Sequence, residues 1–229
     1  MDKKILVLIC VGILVWEVVL SFAFFYKPTR KPFGRELYVS LLSELQVVGY
    51  EIIRAKDYFA HNYSSSKIAV IVHDVDNSFL GAETLSQIEE SMGVKSSFYL
   101  RATQNYFEQS MQYFQSLEKK GFEIGLHYNC LSRTNNVTFA LQLLEAQILF
   151  MRRFYDITTV RASGDVYNLS INNRDLWRYH REVYNKLGVV EAEGFQDTYL
   201  CDTGGKWQIP EEKLWGDVLL LNFHADYWC

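Results

Sequence analysis

Apolar residues fall into two rhythms along this chain. From Arg35 to Val48 (RELYVSLLSELQVV) they recur at 37, 41, 42, 45 and 48, the spacing of one helix face, and Gly49 follows as a stop. From Lys67 onward, short apolar runs alternate with helical spacing. Lys67–Val72 (KIAVIV), Val94–Leu100, Phe122–Leu126 and Ile157–Val160 have the length and β-branched or aromatic content of buried strands. Between them, Ala82–Ser91, Tyr106–Lys120, Thr138–Tyr155 and Arg174–Leu187 repeat at the helical period, and Gly93, Gly121 and Gly188 follow three of the four. Val189–Ala192, Thr198–Leu200 and Val218–Phe223 are further strands. Repeated β–α units imply a parallel sheet, either rolled into a barrel or laid as a doubly wound layer.

The N-terminal pattern is different. Residues 5–26 (ILVLICVGILVWEVVLSFAFFY) are apolar apart from Glu17, and as a helix rising ~1.5 Å per residue they reach across a ~30 Å hydrocarbon core. The run ends in Phe24, Phe25 and Tyr26, which suits an interfacial aromatic belt better than the small residues of a cleavage site. The expected organisation is a tail at 1–4, a transmembrane anchor at 5–26, a basic tether at 27–34 and a single domain at 35–229. Lys27, Arg30, Lys31 and Arg35 lean towards a cytoplasmic domain. The sequons at Asn62, Asn136 and Asn168 lean the other way, and an extracytoplasmic domain is the expectation.

Composition narrows the functional classes. The net charge is −4 with no Lys/Arg run, so nothing marks a nucleic-acid footprint. Aromatics reach 15%, which suits core packing first and sugar stacking second. The cysteines, Cys10, Cys130, Cys201 and Cys229, show no C-x-x-C spacing, so neither a zinc knuckle nor a disulfide framework is expected.

Chemistry-bearing residues cluster where strands are expected to end. His73-Asp74-Val75-Asp76, His127, Arg161 and His224 each follow an apolar run, at the end of a parallel strand where α/β folds bind ligands. In extended Asp74-Val75-Asp76 the carboxylates share one face. Such a pair commonly holds a cation or shares a proton. Imidazole with carboxylate suits zinc or a similar ion, a second carboxylate can serve as general base, and His224 can protonate a leaving group. The bland alternative is that Asp74 and Asp76 cap the helix near Ala82 or bond turn amides.

At six segments the chain resembles the polysaccharide deacetylase family of metal-dependent carbohydrate esterases, in a branch whose first motif reads HDVD. The segments are IVHDVD (71–76), GVKSSFYLR (93–101), KKGFEIGLHY (119–128), NRDLW (173–177), YLCDTGGKW (199–207) and NFHADYW (222–228). The resemblance implies an irregular (β/α) barrel. It implies Asp74 as catalytic base, Asp76 and His127 as metal ligands, Arg161 as support for the base and His224 as general acid. It implies Asp202 and Trp207 along the substrate groove, where Trp228 is also placed, and a divalent metal, zinc by type. The sequence departs from the pattern at Leu131, four after His127, where the family carries a further histidine, and at Asn129 and Ser163. Cys130 is the one nearby alternative donor.

The expected function is removal of acetyl groups, N- or O-linked, from a glycan partner by a metal-dependent hydrolase. The alternatives are a catalytically degenerate carbohydrate-binding relative and a membrane-tethered scaffold that recruits a partner through its Glu17-bearing helix.

Overall fold

The computed structural model describes residues 33–164, 171–202 and 216–228. The described part opens with α1 (Arg35–Val48), whose buried residues are Tyr38, Leu41, Leu42 and Leu45; three of them belong to the predicted face, while Leu37 of that face is 41% exposed and Tyr38 takes its place. It stops at Gly49, whose φ of 91° is left-handed backbone that a side chain strains to adopt. Then follow β1 (Glu51–Ile53), α2 (Ala55–Phe59), β2 (Ile68–Val75), α3 (Leu80–Ser91), β3 (Ser97–Leu100), α4 (Tyr106–Lys119) and β4 (Glu123–Tyr128). The rest comprises α5 (Cys130–Thr134), α6 (Val137–Met151), β5 (Thr159–Ala162), α7 (Asp175–Tyr179), α8 (Arg181–Leu187), β6 (Val190–Glu191), β7 (Thr198–Cys201) and β8 (Val218–His224), with a 3-10 turn at Ala225–Tyr227.

Among the described residues all eight strands pair in parallel, in the order β6-β5-β4-β3-β2-β8-β7, with β1 also on β2. β1 pairs with β2 from Ile68 to Val70, whereas β3 pairs with it from Val72 to Val75. The sheet curls, because Arg161 on β5 donates to Asp74 on β2 and to Tyr199 on β7.

Side-chain alternation divides every strand between two environments. Outward residues (Ile71, Leu221, Phe98, Leu126, Val160) pack beneath the helices in two apolar clusters. Inward residues near the strand starts (Ile68, Val70, Val72, Leu220, with Tyr99) form a third cluster inside the curl. Gly125 makes room there, since a Cβ on it would lie 2.4 Å from the Tyr99 ring. Glu123 closes the lower end, accepting from Ser97 Oγ at 2.6 Å, Thr159 Oγ1 at 2.6 Å and Lys56 N at 2.9 Å.

Several expectations shift in register. β2 runs three residues past Val72, so His73 and Asp74 lie inside the strand rather than after it. The helix expected over Arg174–Leu187 is two, broken at His180 (φ −135°). Packing decides this: Leu176 and Tyr184 are both buried, Tyr184 donates to the Tyr128 hydroxyl at 2.9 Å, and Trp177 packs edge-on against it. The segment between Gly49 and β2 forms β1 and α2, too short for a periodic signal. Among the described residues no helix is long and apolar enough to cross a membrane. The apolar run at 5–26 lies outside those residues.

Candidate active site

The inward rule places the polar residues. On β2 the inward series Val70, Val72 ends at Asp74 and continues to Asp76. On β8, Leu220 leads to Asn222 and His224. On β4, Gly125 leads to His127, and on β5, Thr159 leads to Arg161. Register levels them, pairing Asp74 with His224 and His127 with Arg161. Five of the predicted residues therefore meet at one end of the curled sheet.

Asp74 is buried and held from three sides. Arg161 Nε donates to its two oxygens at 2.9 and 3.3 Å, and Asn222 Nδ2 donates at 3.0 Å. His127 Nδ1 and His224 Nε2 each stand 3.8 Å away. Burial pushes the Asp74 carboxyl up, but the charges of Arg161, His127 and His224 outweigh it and hold the group below the usual range. Arg161 is itself buried and braced by Glu193 at 2.8 Å on its far side.

His224 is organised by Asp202. Its Nδ1 lies 2.6 Å from Asp202 Oδ1 and its backbone N–H donates to the same carboxylate at 2.9 Å. Trp228 Nε1 donates to Asp202 Oδ2 at 2.7 Å. Burial disfavours the imidazolium, yet the hydrogen bonds to Asp202 and Cys201 and the charges of Asp74 and Asp202 push its pKa up to about 11. The imidazole is thus a cation at neutral pH with Nε2 turned towards Asp74.

Two expected groove residues are corrected. Asp202 is fully buried and spends both oxygens on His224 and Trp228, so it positions His224 rather than lining a groove. Trp228 is 1% exposed and packs against Phe33, Tyr38 and Phe223. An indole of that size contributes most when wholly removed from water, which makes Trp228 a core residue with a polar handle on Asp202. Trp207 lies outside the described residues. His73, the first letter of HDVD, faces outward by parity and is also absent from the cluster.

Asp76 and His127 come together as a candidate ligand pair. His127 Nε2 lies 3.4 Å from Asp76 Oδ1, close to the edge length of a zinc tetrahedron with bonds of ~2.0–2.1 Å. His127 Nδ1 faces the Arg161 carbonyl at 3.1 Å, a bond that leaves Nε2 as the ligating atom in the matching tautomer. A third donor is missing. The Leu131 side chain is apolar and packs against the core. Cys130 is buried, bonded to Gln147 Oε1 at 3.4 Å, and burial pushes its thiol up to about 12, so no thiolate is offered. Asp76 Oδ1 already accepts Arg101 Nε at 2.7 Å, and Nη2 of the same guanidinium lies 2.6 Å from it as an ion-pair contact. Cys201, Asp202 and His224 also bring ligand atoms within 4.8 Å of one another, but Asp202 is committed as described. Three protein ligands are the norm for a catalytic zinc, and the described residues do not supply them as a free set.

The sequence reading gave no site role to Arg101, Asn222 or Tyr199, and noted Ser163 only as a departure from the family pattern. Arg101 bridges Asp76 and Ser163 Oγ, the latter at 2.8 Å. Asn222 bonds both Asp74 and the Tyr199 hydroxyl, at 3.0 and 3.1 Å. Period two was the available signal: Tyr99 and Arg101, Arg161 and Ser163, and Asn222 and His224 are each two apart.

No protein-family model matches the chain, and no curated protein does. Solved structures do. A Streptococcus mutans CE4 esterase superposes with a TM-score of 0.52 at 11% identity, covering 70% of this chain and 74% of that one. Peptidoglycan deacetylase PdaC from Bacillus subtilis gives a TM-score of 0.46 at 15% identity, covering 70% and 76%. A mutant of BA3943, described as a CE4 family pseudoenzyme with restored activity, gives 0.49 at 10%, covering 69% and 57%. The curled parallel sheet of this chain, with its polar residues at the strand ends, is a polysaccharide deacetylase-type fold, that of the CE4 carbohydrate esterases.

Proposed function

We propose that the chain is a hydrolase that removes acetyl groups from a glycan. The observation that carries the reading is the facing pair Asp74 and His224, 3.8 Å apart on adjacent strands and each fixed by partners of its own. Asp74 remains a carboxylate and His224 a cation over a wide pH range, the charge states required of a base and an acid working in sequence. In the proposed reaction a water attacks the acetyl carbonyl carbon while Asp74 takes its proton. The carbon–nitrogen or carbon–oxygen bond then breaks as His224 Nε2 gives a proton to the leaving atom. Acetate and a free amine or hydroxyl result. Arg161 and Asn222 aim the Asp74 oxygens, and Asp202 aims the imidazole. The run at 5–26 is proposed as a membrane anchor that presents the domain to a surface glycan.

Acetate release from a panel of acetylated oligosaccharides is the test, with and without added zinc or cobalt. Release that falls by ~10²–10⁴ in Asp74→Asn supports the reading. A folded protein that releases none from any of them overturns it. The second reading is a glycan-binding relative without turnover. It is favoured by the tight clamp on Asp74, which lowers its basicity. That reading expects oligosaccharide affinity by calorimetry to be the same in the wild type and in Asp74→Asn.

A further inference from the structure

Hydrolysis of an acetyl group builds negative charge on the carbonyl oxygen, and a site for it needs a positive partner there. Asp76 and His127 provide only two donors for an ion, and the third position is Leu131. What sits against Asp76 is Arg101. Its Nε and Nη2 both reach Asp76 Oδ1, at 2.7 and 2.6 Å, and Nη2 also donates to Ser163 Oγ at 2.8 Å. Nη1 has no partner among the described residues. The Arg101 side chain is 15% exposed and that of Asp76 22%, against 3% for His127, so this pair lies at the mouth of the site. The Nε hydrogen bond and the Nη2 ion-pair contact on one carboxylate oxygen put a cation where a metal would sit and leave that oxygen little capacity to ligate an ion. A guanidinium keeps its charge at any working pH and is easier to desolvate than an ammonium.

We propose that Arg101 takes the place of the divalent ion: seated on Asp76 and Ser163, its guanidinium receives the acetyl carbonyl oxygen through Nη1, and the site works without a metal. This rests on the deacetylase reading above. In the balanced step, water oxygen bonds to the carbonyl carbon, its proton passes to Asp74, and the carbonyl π electrons move onto the oxygen facing Arg101. On collapse those electrons re-form the carbonyl, the bond to nitrogen or oxygen breaks, and the leaving atom takes a proton from His224. Asp76 and Ser163 are positioning residues here, acting through Arg101. Leu131 then needs no replacement, because no third ligand is called for.

The experiment uses the full chain, stripped with EDTA and then equilibrated with zinc or cobalt. Bound metal is measured by plasma mass spectrometry, and acetate release from penta-N-acetylchitopentaose and acetylated xylan is followed in parallel. The expected result is no stoichiometric ion in the wild type and turnover unchanged by EDTA. Arg101→Gln should lower kcat by ~10²–10³ with KM little moved, as loss of an oxyanion donor does, and Arg101→Lys should recover part of it. One ion per chain, lost in Asp76→Ala and required for turnover, overturns the inference and leaves the hydrolase reading intact. If the wild type releases no acetate, the hydrolase reading fails instead. The role of Arg101 is then decided by NMR titration with N-acetylglucosamine oligomers: weaker binding in Arg101→Gln sustains it as the acetyl-oxygen partner, and unchanged binding overturns it.

Discussion

His73 and Asp74 are neighbours in the chain and lie on opposite faces of β2, and the clusters they enter share ingredients but not character. His73 is sealed between the sheet and two helices. Its Nε2 lies 2.8 Å from Glu89 Oε1, the Tyr38 hydroxyl donates to the same oxygen, and Ser96 Oγ donates to Oε2 at 2.7 Å. Tyr38, His73, Glu89 and Ser96 are all 0% exposed. The only loose end is His73 Nδ1, which has no partner among the described residues. Across the strand, Asp74 meets two imidazoles and a guanidinium, and one of those imidazoles, His224, keeps 21% of its side chain in solvent. A closed network of short bonds with no way in fixes a helix to a sheet. A network with charged members and an opening can exchange a proton with something that arrives.

Substitutions can break this contrast. The largest effect on stability is expected from Glu89→Ala, which strands the buried donors of His73, Tyr38 and Ser96 and should cost ~3–5 kcal/mol in denaturant unfolding. Whatever remains folded should release acetate at the normal rate per folded molecule. If instead stability holds and turnover collapses, the His73 side is part of the site and the contrast fails.

Asp202→Asn should act on the other side of the strand. Against burial, which disfavours the imidazolium, Asp202 together with Cys201 and Asp74 pushes the His224 pKa up to about 11, so the imidazolium persists through the neutral range and is lost only as pH rises through that value. A raised histidine pKa stabilises the fold fully below the unfolded value of ~6.5, and the contribution fades as pH climbs to the folded value. In the variant the alkaline limb of the pH–kcat profile should move down and turnover at pH 8 should fall by ~10–100-fold, the scale of an acid lost in part. An unmoved limb would mean that His224 is not the acid. Asp74 runs in the opposite sense: its carboxylate contributes stability above the ordinary carboxylate range, and that contribution is lost as pH falls through its lowered pKa.

The smallest effect is expected from Asn222→Ala. It removes one donor from Asp74 and leaves the Arg161 clamp in place, for a loss of about 1 kcal/mol in stability and a several-fold loss of kcat. An effect as large as that of Asp74→Asn would place Asn222 in contact with substrate.

Much of this was legible in residues taken one strand at a time. The β–α alternation, the helix stop at Gly49 and the gathering of Asp74, His127, Arg161 and His224 towards the C-terminal parts of their strands follow from periodicity and chain order, though all four lie within the strands rather than past them. Arg101 and Asn222 were legible by parity, yet no local signal separates an inward polar residue that reaches a ligand from one that props a neighbour. Trp228 and Asp202 show the limit: aromatic and acidic types suit a sugar groove and a buried bracket equally, and only packing assigns them to the bracket.

The sequence by itself determined which residues face into the curl of the sheet, because alternation along a strand is a property of the backbone. It also determined that position 131 carries no metal donor. The tertiary structure decided which inward residues meet, because strand order places β8 beside β2, although some 150 residues separate Asp74 from Asn222 and His224. It also decided that the partner of Asp76 is a guanidinium. That pairing depends on the reach of Arg101 from the end of β3 to Asp76 and Ser163, a distance in space that no spacing along the chain encodes.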